Sequence, residues 1–191
     1  MHPRSIEIAS INKIEMIIKH TKYESEGTRM RNDEVKMEKR NAVTGIPTST
    51  GVSKVTINNI DDKPGIASSI FLPLSKMGIS VDVIVQTAGN DGKTNLSFTL
   101  EDKNLDVCVN ELIKNNIAKK ENINTQSGLG KVSIVGTGIQ NQPGYASRMF
   151  ETLSEKNINI EMITTSEIRI TCIINSDDLS LAAQSLHNEF I

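Results

Sequence analysis

Residues 60–86 read IDDKPGIASSIFLPLSKMGISVDVIVQ, and residues 139–165 read IQNQPGYASRMFETLSEKNINIEMITT, 79 positions later and without a gap. Ten of the 27 positions are identical: Ile60/Ile139, Pro64/Pro143, Gly65/Gly144, Ala67/Ala146, Ser68/Ser147, Phe71/Phe150, Leu74/Leu153, Ser75/Ser154, Ile79/Ile158 and Ile84/Ile163. Self-similarity at a fixed offset means one supersecondary unit used twice. In a chain of 191 residues that leaves two small modules. Each is near the size at which a lone core is only marginally stabilising, so the copies are expected to pack on each other or on a partner.

Within the first copy, Pro64 presets φ and Gly65 tolerates positive φ, which makes DDKPG a turn. Ile66, Ile70, Phe71, Leu74 and Met77 then recur at helical spacing, and Gly78 suits the position just past the helix end. Pro73 inside that run is awkward, because a mid-helix proline removes a bond and kinks the chain. ISVDVIVQT alternates as a strand, AGNDGK turns, and TNLSFTL returns antiparallel. Asp102 is placed to cap a further helix carrying Leu105, Val109, Leu112 and Ile113. The second copy repeats the order with strand 132–135, helix 145–156, strands 158–163 and 168–174, and helix 178–187. Before the repeat, 43–46 and 52–57 read as two short strands broken by Pro47 and Gly51.

With one more edge strand per unit, each copy is a ferredoxin-like βαββαβ module of the α+β class: an antiparallel sheet with helices on one face. The expected division is 1–41 as a leading segment and linker, 42–125 as the first module and 126–191 as the second. The strand at 42–46 is a candidate member of the second. Ile6, Ala9, Ile14, Ile17 and Ile18 after Pro3 give a helix-like spacing over 3–20. The charged, aperiodic stretch 21–41 reads as a loop or linker.

Composition narrows the function. The net charge of −2 has no Lys/Arg stripe beside it, which argues against nucleic acid as a partner. His2, His20 and His187 are scattered, and Cys108 and Cys172 lack ligand spacing, so no metal site is expected. Both cysteines read as buried free thiols in a reducing compartment. No apolar run reaches membrane-span length and no signal peptide opens the chain, so a cytoplasmic protein without a membrane partner is expected. GTG at 136–138 lacks the rest of a dinucleotide fingerprint and reads as a loop.

The DxPG turn between strand and helix, followed by ISV or INI and a strand, resembles the ACT domain, a small amino-acid-binding regulatory unit. The ordered set HPRSIEIA, EGT, DDKPGIAS, VDVIVQ, KVSIVGTGI, QPGYASRMF and NINIEMITTSEIRI resembles the C-terminal regulatory region of aspartate kinase across essentially the whole chain. The resemblance implies tandem ACT modules exerting feedback control by L-lysine and/or L-threonine. It also implies a homodimer through ACT modules and a catalytic domain or subunit as partner. The enzyme so implied is an ATP:L-aspartate 4-phosphotransferase. No phosphate-cradling loop is found here, so no cofactor is expected in this chain, which alone should be inactive. ATP and magnesium would belong to a kinase domain lying before HPRSIEIA. A free-standing ACT-type sensor or a regulatory subunit is the alternative.

A free amino acid presents a carboxylate, an ammonium and a side chain. The helix opened by DxPG offers backbone N–H groups to the carboxylate, and Gly65 permits close approach. Asp62 suits the ammonium and Gln86 a polar tail. By the resemblance, the effector lies where one module meets another, with no catalytic residue. One wall is Asp62, Gly65, Ile66, Ala67, Ser80, Asp82 and Gln86. The other is Tyr145, Ala146, Asn159, Ile160, Ser166 and Glu167, the last two toward the cationic end of lysine. Against this stand plainer readings: Asp62 as a turn residue, and Ser80, Asp82 and Glu167 as solvated strand positions. Asn141 replaces Asp62 in the second copy, so the two turns are not expected to bind alike.

Overall fold

The computed structural model describes residues 5, 8–9, 12–30, 43–88, 92–137, 139 and 143–191, and the chain divides into two compact units, Met1–Arg40 and Asn41–Ile191. The first unit corrects the sequence reading. Met16–Ile18 (β1) and Thr28–Met30 (β2) form an antiparallel pair with Met16 opposite Met30. The expected helix over 3–20 therefore stops short of 16–18, and 28–30 is strand and not loop. Lys13 at φ 53 leaves helical backbone, and β-branched Ile17 and Ile18 prefer the extended chain that follows. Gly27 at φ 74 allows the return, since a Cβ there would fall 2.4 Å from the Ile18 carbonyl oxygen. Residues 5, 8 and 9 are helical, 12–15 and 19–20 are turn or irregular chain, and 21–27 is irregular, while 3–4, 6–7, 10–11 and 31–41 lie outside the described residues.

The second unit is a six-stranded antiparallel sheet. Its strands are Thr48–Asp61 (β3), Val81–Ala88 (β4), Lys93–Glu101 (β5), Ile123–Val135 (β6), Met162–Ser166 (β7) and Arg169–Asn175 (β8), in the order β4-β5-β3-β6-β8-β7. The helices are Ile66–Lys76 (α1), Leu105–Lys114 (α2), Tyr145–Glu155 (α3) and Leu179–Phe190 (α4). β3 and β6 each serve both repeats. β3 pairs through Lys54–Ile57 with the start of β6, and through Thr48 and Ser49 with its end at Lys131 and Val132. Gly45 extends the second contact by a bridge to Val135. The boundary expected at 125/126 thus falls inside one strand.

The centre of that crossing is a pair of bulges. Gly51 and Gly128 lie at φ 73 and 72, and the β3–β6 register shifts on either side of Val52. Gly51 therefore bends a single strand, Thr48–Asp61, which extends the run expected at 52–57 in both directions, whereas the run expected at 43–46 makes only the isolated bridge at Gly45. The second-copy strand expected at 158–163 begins only at Met162.

Alternation along the strands sends one set of side chains to the helices. Val55, Ile57, Leu96, Phe98 and Leu100 pack on Ile70, Leu74, Cys108 and Leu112 of α1 and α2. Val132, Ile134, Ile170, Cys172 and Ile174 pack on Met149, Leu153, Ala182, Leu186 and Phe190 of α3 and α4. Val52, Val83, Leu129, Met162 and Ile173 form a small third core drawn from strands alone, on the face without helices. Phe71 and Phe150 are half-buried against their respective cores.

Three helices close in the same way. Gly78 N–H donates to the Ser75 carbonyl at 3.0 Å and Ile79 N–H to Leu74 at 3.0 Å; Asn116 and Ile117 after α2, and Asn157 and Ile158 after α3, repeat the pattern. α1 continues through Pro73 to Lys76, where the missing N–H removes only one bond near the helix end. Asp102 does not cap α2: its Oδ1 accepts from Ser53 Oγ at 2.5 Å, which ties the end of β5 to β3.

Candidate functional site

At the end of β3, Asp61 and Asp62 diverge. Asp61 accepts from Lys93 Nζ at 2.6 Å, and that bond, with the Lys93 and Lys63 charges, holds its carboxyl below the usual range. Asp62 N–H donates to the Gly92 carbonyl at 2.8 Å, which fixes the turn and leaves the Asp62 carboxylate in solvent. Gln86 Nε2 stands 3.5 Å from Asp62 Oδ1, at the outer limit of a hydrogen bond. Gly65 at φ 92 opens α1, whose first turn holds no acidic residue and whose N-terminus has no side-chain cap. Ile66 and Ala67 are half-buried on the first core. The structure thus gathers Asp62, Gly65, Ile66, Ala67 and Gln86.

The second turn is built on the same backbone with other side chains. Gly144 at φ 106 opens α3, again without a side-chain cap or an acidic first turn. Tyr145 stacks on Phe190 with centroids 6.0 Å apart, and Ala146 packs on the second core. Arg148 lies 4.7 Å above the Phe190 ring and donates from Nε to Glu189 Oε1 at 2.7 Å, clamping α3 to α4. Asn141 lies outside the described residues.

Topology regroups the expected walls. β3 and β6 run antiparallel, so the turns that follow them lie at opposite ends of the sheet. β4 runs parallel to β3 and β7 parallel to β6, each through one antiparallel neighbour. The start of β7, with Asn159 and Ile160 just before it, therefore shares an end with Asp62 and Gln86. Ser80 and Asp82, at the start of β4, share the other end with Tyr145, Ala146, Ser166 and Glu167. Each end combines the glycine turn of one repeat with the edge-strand start of the other. Asn159 Nδ2 donates to Glu161 Oε1 at 3.3 Å, Ile160 packs on the second core, and Glu167 is an exposed turn residue. Ser80 and Asp82 line a cleft of about 700 Å³ with Ser49, Gly51, Asp102 and Lys131.

Two lysines escaped the sequence reading. Lys54 Nζ donates to Glu161 Oε2 at 2.8 Å, and Lys131 Nζ pairs with Asp82 Oδ2. Each pair joins strands or strand starts three places apart in the sheet. At roughly 4.8 Å per strand, such contacts require the sheet to curl over its helix-free face, around the third core. Lys54, with smaller contributions from Gln126 and Asn159, holds the Glu161 carboxyl below its ordinary range. The signal was present: GVSKVTI at 51–57 and GLGKVSI at 128–134 share Gly, Lys, Val and Ile at an offset of 77. Two extra residues before the second turn change that offset to 79 and hide the match.

Among the described residues no group of His, Cys, Asp and Glu could hold a metal ion. Cys108 and Cys172 are free and buried, and burial pushes both thiols up to about 12, which leaves them inert. No described helix is long and apolar enough to cross a membrane.

The ACT domain family matches residues 132–190. Aspartokinase 2 of Bacillus subtilis is 37% identical over all of this chain, which covers 46% of that protein; the chain spans about half the length of the curated relatives it matches. The regulatory subunit of aspartate kinase from Thermus thermophilus superposes with a TM-score of 0.71 at 30% identity, over 78% of this chain and 99% of that one. A crystal structure of aspartokinase alpha and beta subunits gives 0.70 at 34% identity over the same shares. With the fold, both glycine turns and matches of this extent in agreement, the chain belongs to the aspartate kinase family and represents its ACT-domain regulatory region.

Proposed function

We propose that this region senses a free amino acid, L-lysine and/or L-threonine, and sets the activity of aspartate kinase accordingly in the cytoplasm. The observation that carries the reading is the pair of uncapped helices opened by Gly65 and Gly144 at opposite ends of one sheet. The backbone N–H groups of such an opening suit a carboxylate. At the first end Asp62 takes the ammonium, Gln86 the polar tail, and Asn159 and Ile160 of an edge-strand start complete the pocket. At the second end Tyr145 and Ala146 share an end of the sheet with Ser80, Asp82, Ser166 and Glu167, and these six make up the second proposed pocket. A second copy of the chain fits this design, because β4 and β7 are open sheet edges exposing Ile84, Val85 and Ile163. An effector that binds one arrangement of the modules more tightly shifts the population toward it.

The kinase domain that responds to this shift is either part of the same polypeptide or a separate catalytic subunit. Titration calorimetry with the Asp62→Ala variant tests the site. Loss of the charge-assisted bond to the ammonium weakens effector binding by about tenfold or more, with circular dichroism unchanged. Equal affinity in variant and parent would remove Asp62 from the site.

A further inference from the structure

On the helix-free face of the second repeat, strand register aligns three hydroxyls on adjacent strands. Ser133 of β6 stands opposite Thr171 of β8, and Thr171 opposite Thr164 of β7. Ser133 Oγ and Thr171 Oγ1 are buried and lie 2.8 Å apart. One hydroxyl of that pair donates to the other, so a second proton remains for a ligand. The next row brings Arg169 opposite Ser166, and the preceding row carries Lys131. These residues, with Asp82 and Val83, line a cleft of about 270 Å³. Lys131 spends one of its three protons on Asp82, while Arg169 has no ion-pair partner among the described residues.

The first repeat is the internal control. Its Thr56 and Ser97 hydroxyls lie 2.9 Å apart in the equivalent place, above the equivalent Lys54. There the edge strand supplies Val85 opposite Ser97, where the second repeat has Thr164. Asn95 occupies the place of Arg169, and its Oδ1 already accepts from Asn59 N–H at 2.9 Å. The same scaffold is thus finished with an apolar edge and a satisfied amide in one copy, and with a hydroxyl and an unpaired guanidinium in the other.

We propose that the cleft between Lys131 and Arg169 binds a small oxyanion, a phosphate or a carboxylate, on the hydroxyl row Ser133–Thr171–Thr164. The guanidinium supplies the bidentate, charge-assisted contact and Lys131 a second positive charge. The hydroxyls donate to the remaining oxygens, and the Asp82 carboxylate on the Lys131 side confines the anion toward Arg169. The cleft borders the amino-acid pocket proposed at the second end and shares Asp82 and Ser166 with it, but its anion contacts come from Arg169, Lys131 and the hydroxyl row, and neither Asp62 nor Gln86 takes part.

The test is calorimetric titration of the full chain with inorganic phosphate, and separately with acetate, at constant ionic strength, for the parent, Arg169→Gln and Thr164→Val. The second substitution installs the first repeat's own residue and preserves strand propensity, so it guards against loss of fold. Binding of phosphate, acetate or both, weakened about tenfold or more by Arg169→Gln and measurably by Thr164→Val, bears the proposal out and names the anion. No binding of either anion to the folded parent overturns it, as does affinity indifferent to Arg169. Titration of the parent with L-lysine and L-threonine is read separately, so failure of anion binding and failure of amino-acid sensing are told apart.

Discussion

Lys54 and Lys131 occupy the same place in the two repeats, yet their partners differ in exposure: Glu161 is 24% exposed and Asp82 61%. Exposed pairs are worth little because solvent screens them, whereas Glu161 is also held by Gln126 and Asn159. A double-mutant cycle with Lys54→Met and Glu161→Gln is expected to give a coupling of about 1 kcal/mol. The Lys131–Asp82 cycle should give about half that or less. Urea unfolding measures both. The pH dependence has a definite sign. The Glu161 carboxyl is lowered on folding, so its stabilisation is present above the unfolded value and lost as pH falls through the folded one. The cost of Glu161→Gln should therefore shrink on acidification below about pH 4. Neither lysine was legible as a partner in the sequence, because the pairing depends on sheet curl, whereas the turn and its following strand were enough to expect Asp62 and Gln86 close together, as the 3.5 Å approach shows.

Elements show the same division between local and long-range information. Gly130 in β6 faces α4, where a Cβ would come within 2.3 Å of Leu179 Cδ1 and 2.9 Å of the Ser49 carbonyl oxygen. Gly130→Ala is expected to cost about 1–3 kcal/mol by overpacking, read as a lower urea midpoint with an unchanged slope. The helices, their apolar faces and the Gly78 closure could be read because each depends on residues within a turn or two. Gly51 could not be read, since glycine marks a break and a bulge equally well, and only the neighbouring β6 decides between them. β1 could not be read either: the apolar spacing around Ile14, Ile17 and Ile18 suits a helix as well as a strand, and pairing with β2 settles it. Asp102 was misread as a cap because the competing donor, Ser53, is 49 residues away.

At the scale of the molecule, the repeat announced two modules, but the sharing of β3 and β6 between them was beyond local pattern. In the proposed function that sharing is the physical route of regulation: a ligand at the Asp62 end would pull on β3, which continues through the Gly51 bulge into the second repeat, and a ligand at the Gly144 end would pull on β6, which continues into the first. Coupling of about 1–3 kcal/mol along such a path changes affinity about 5–150-fold. The most direct measurement is titration calorimetry of the chain with L-lysine and with L-threonine, each alone and each in the presence of the other. Binding of at least one, with the affinity for the second ligand altered by the first within that range where both bind, is the predicted result. Absence of binding by both amino acids to the folded chain would contradict an amino-acid-sensing function.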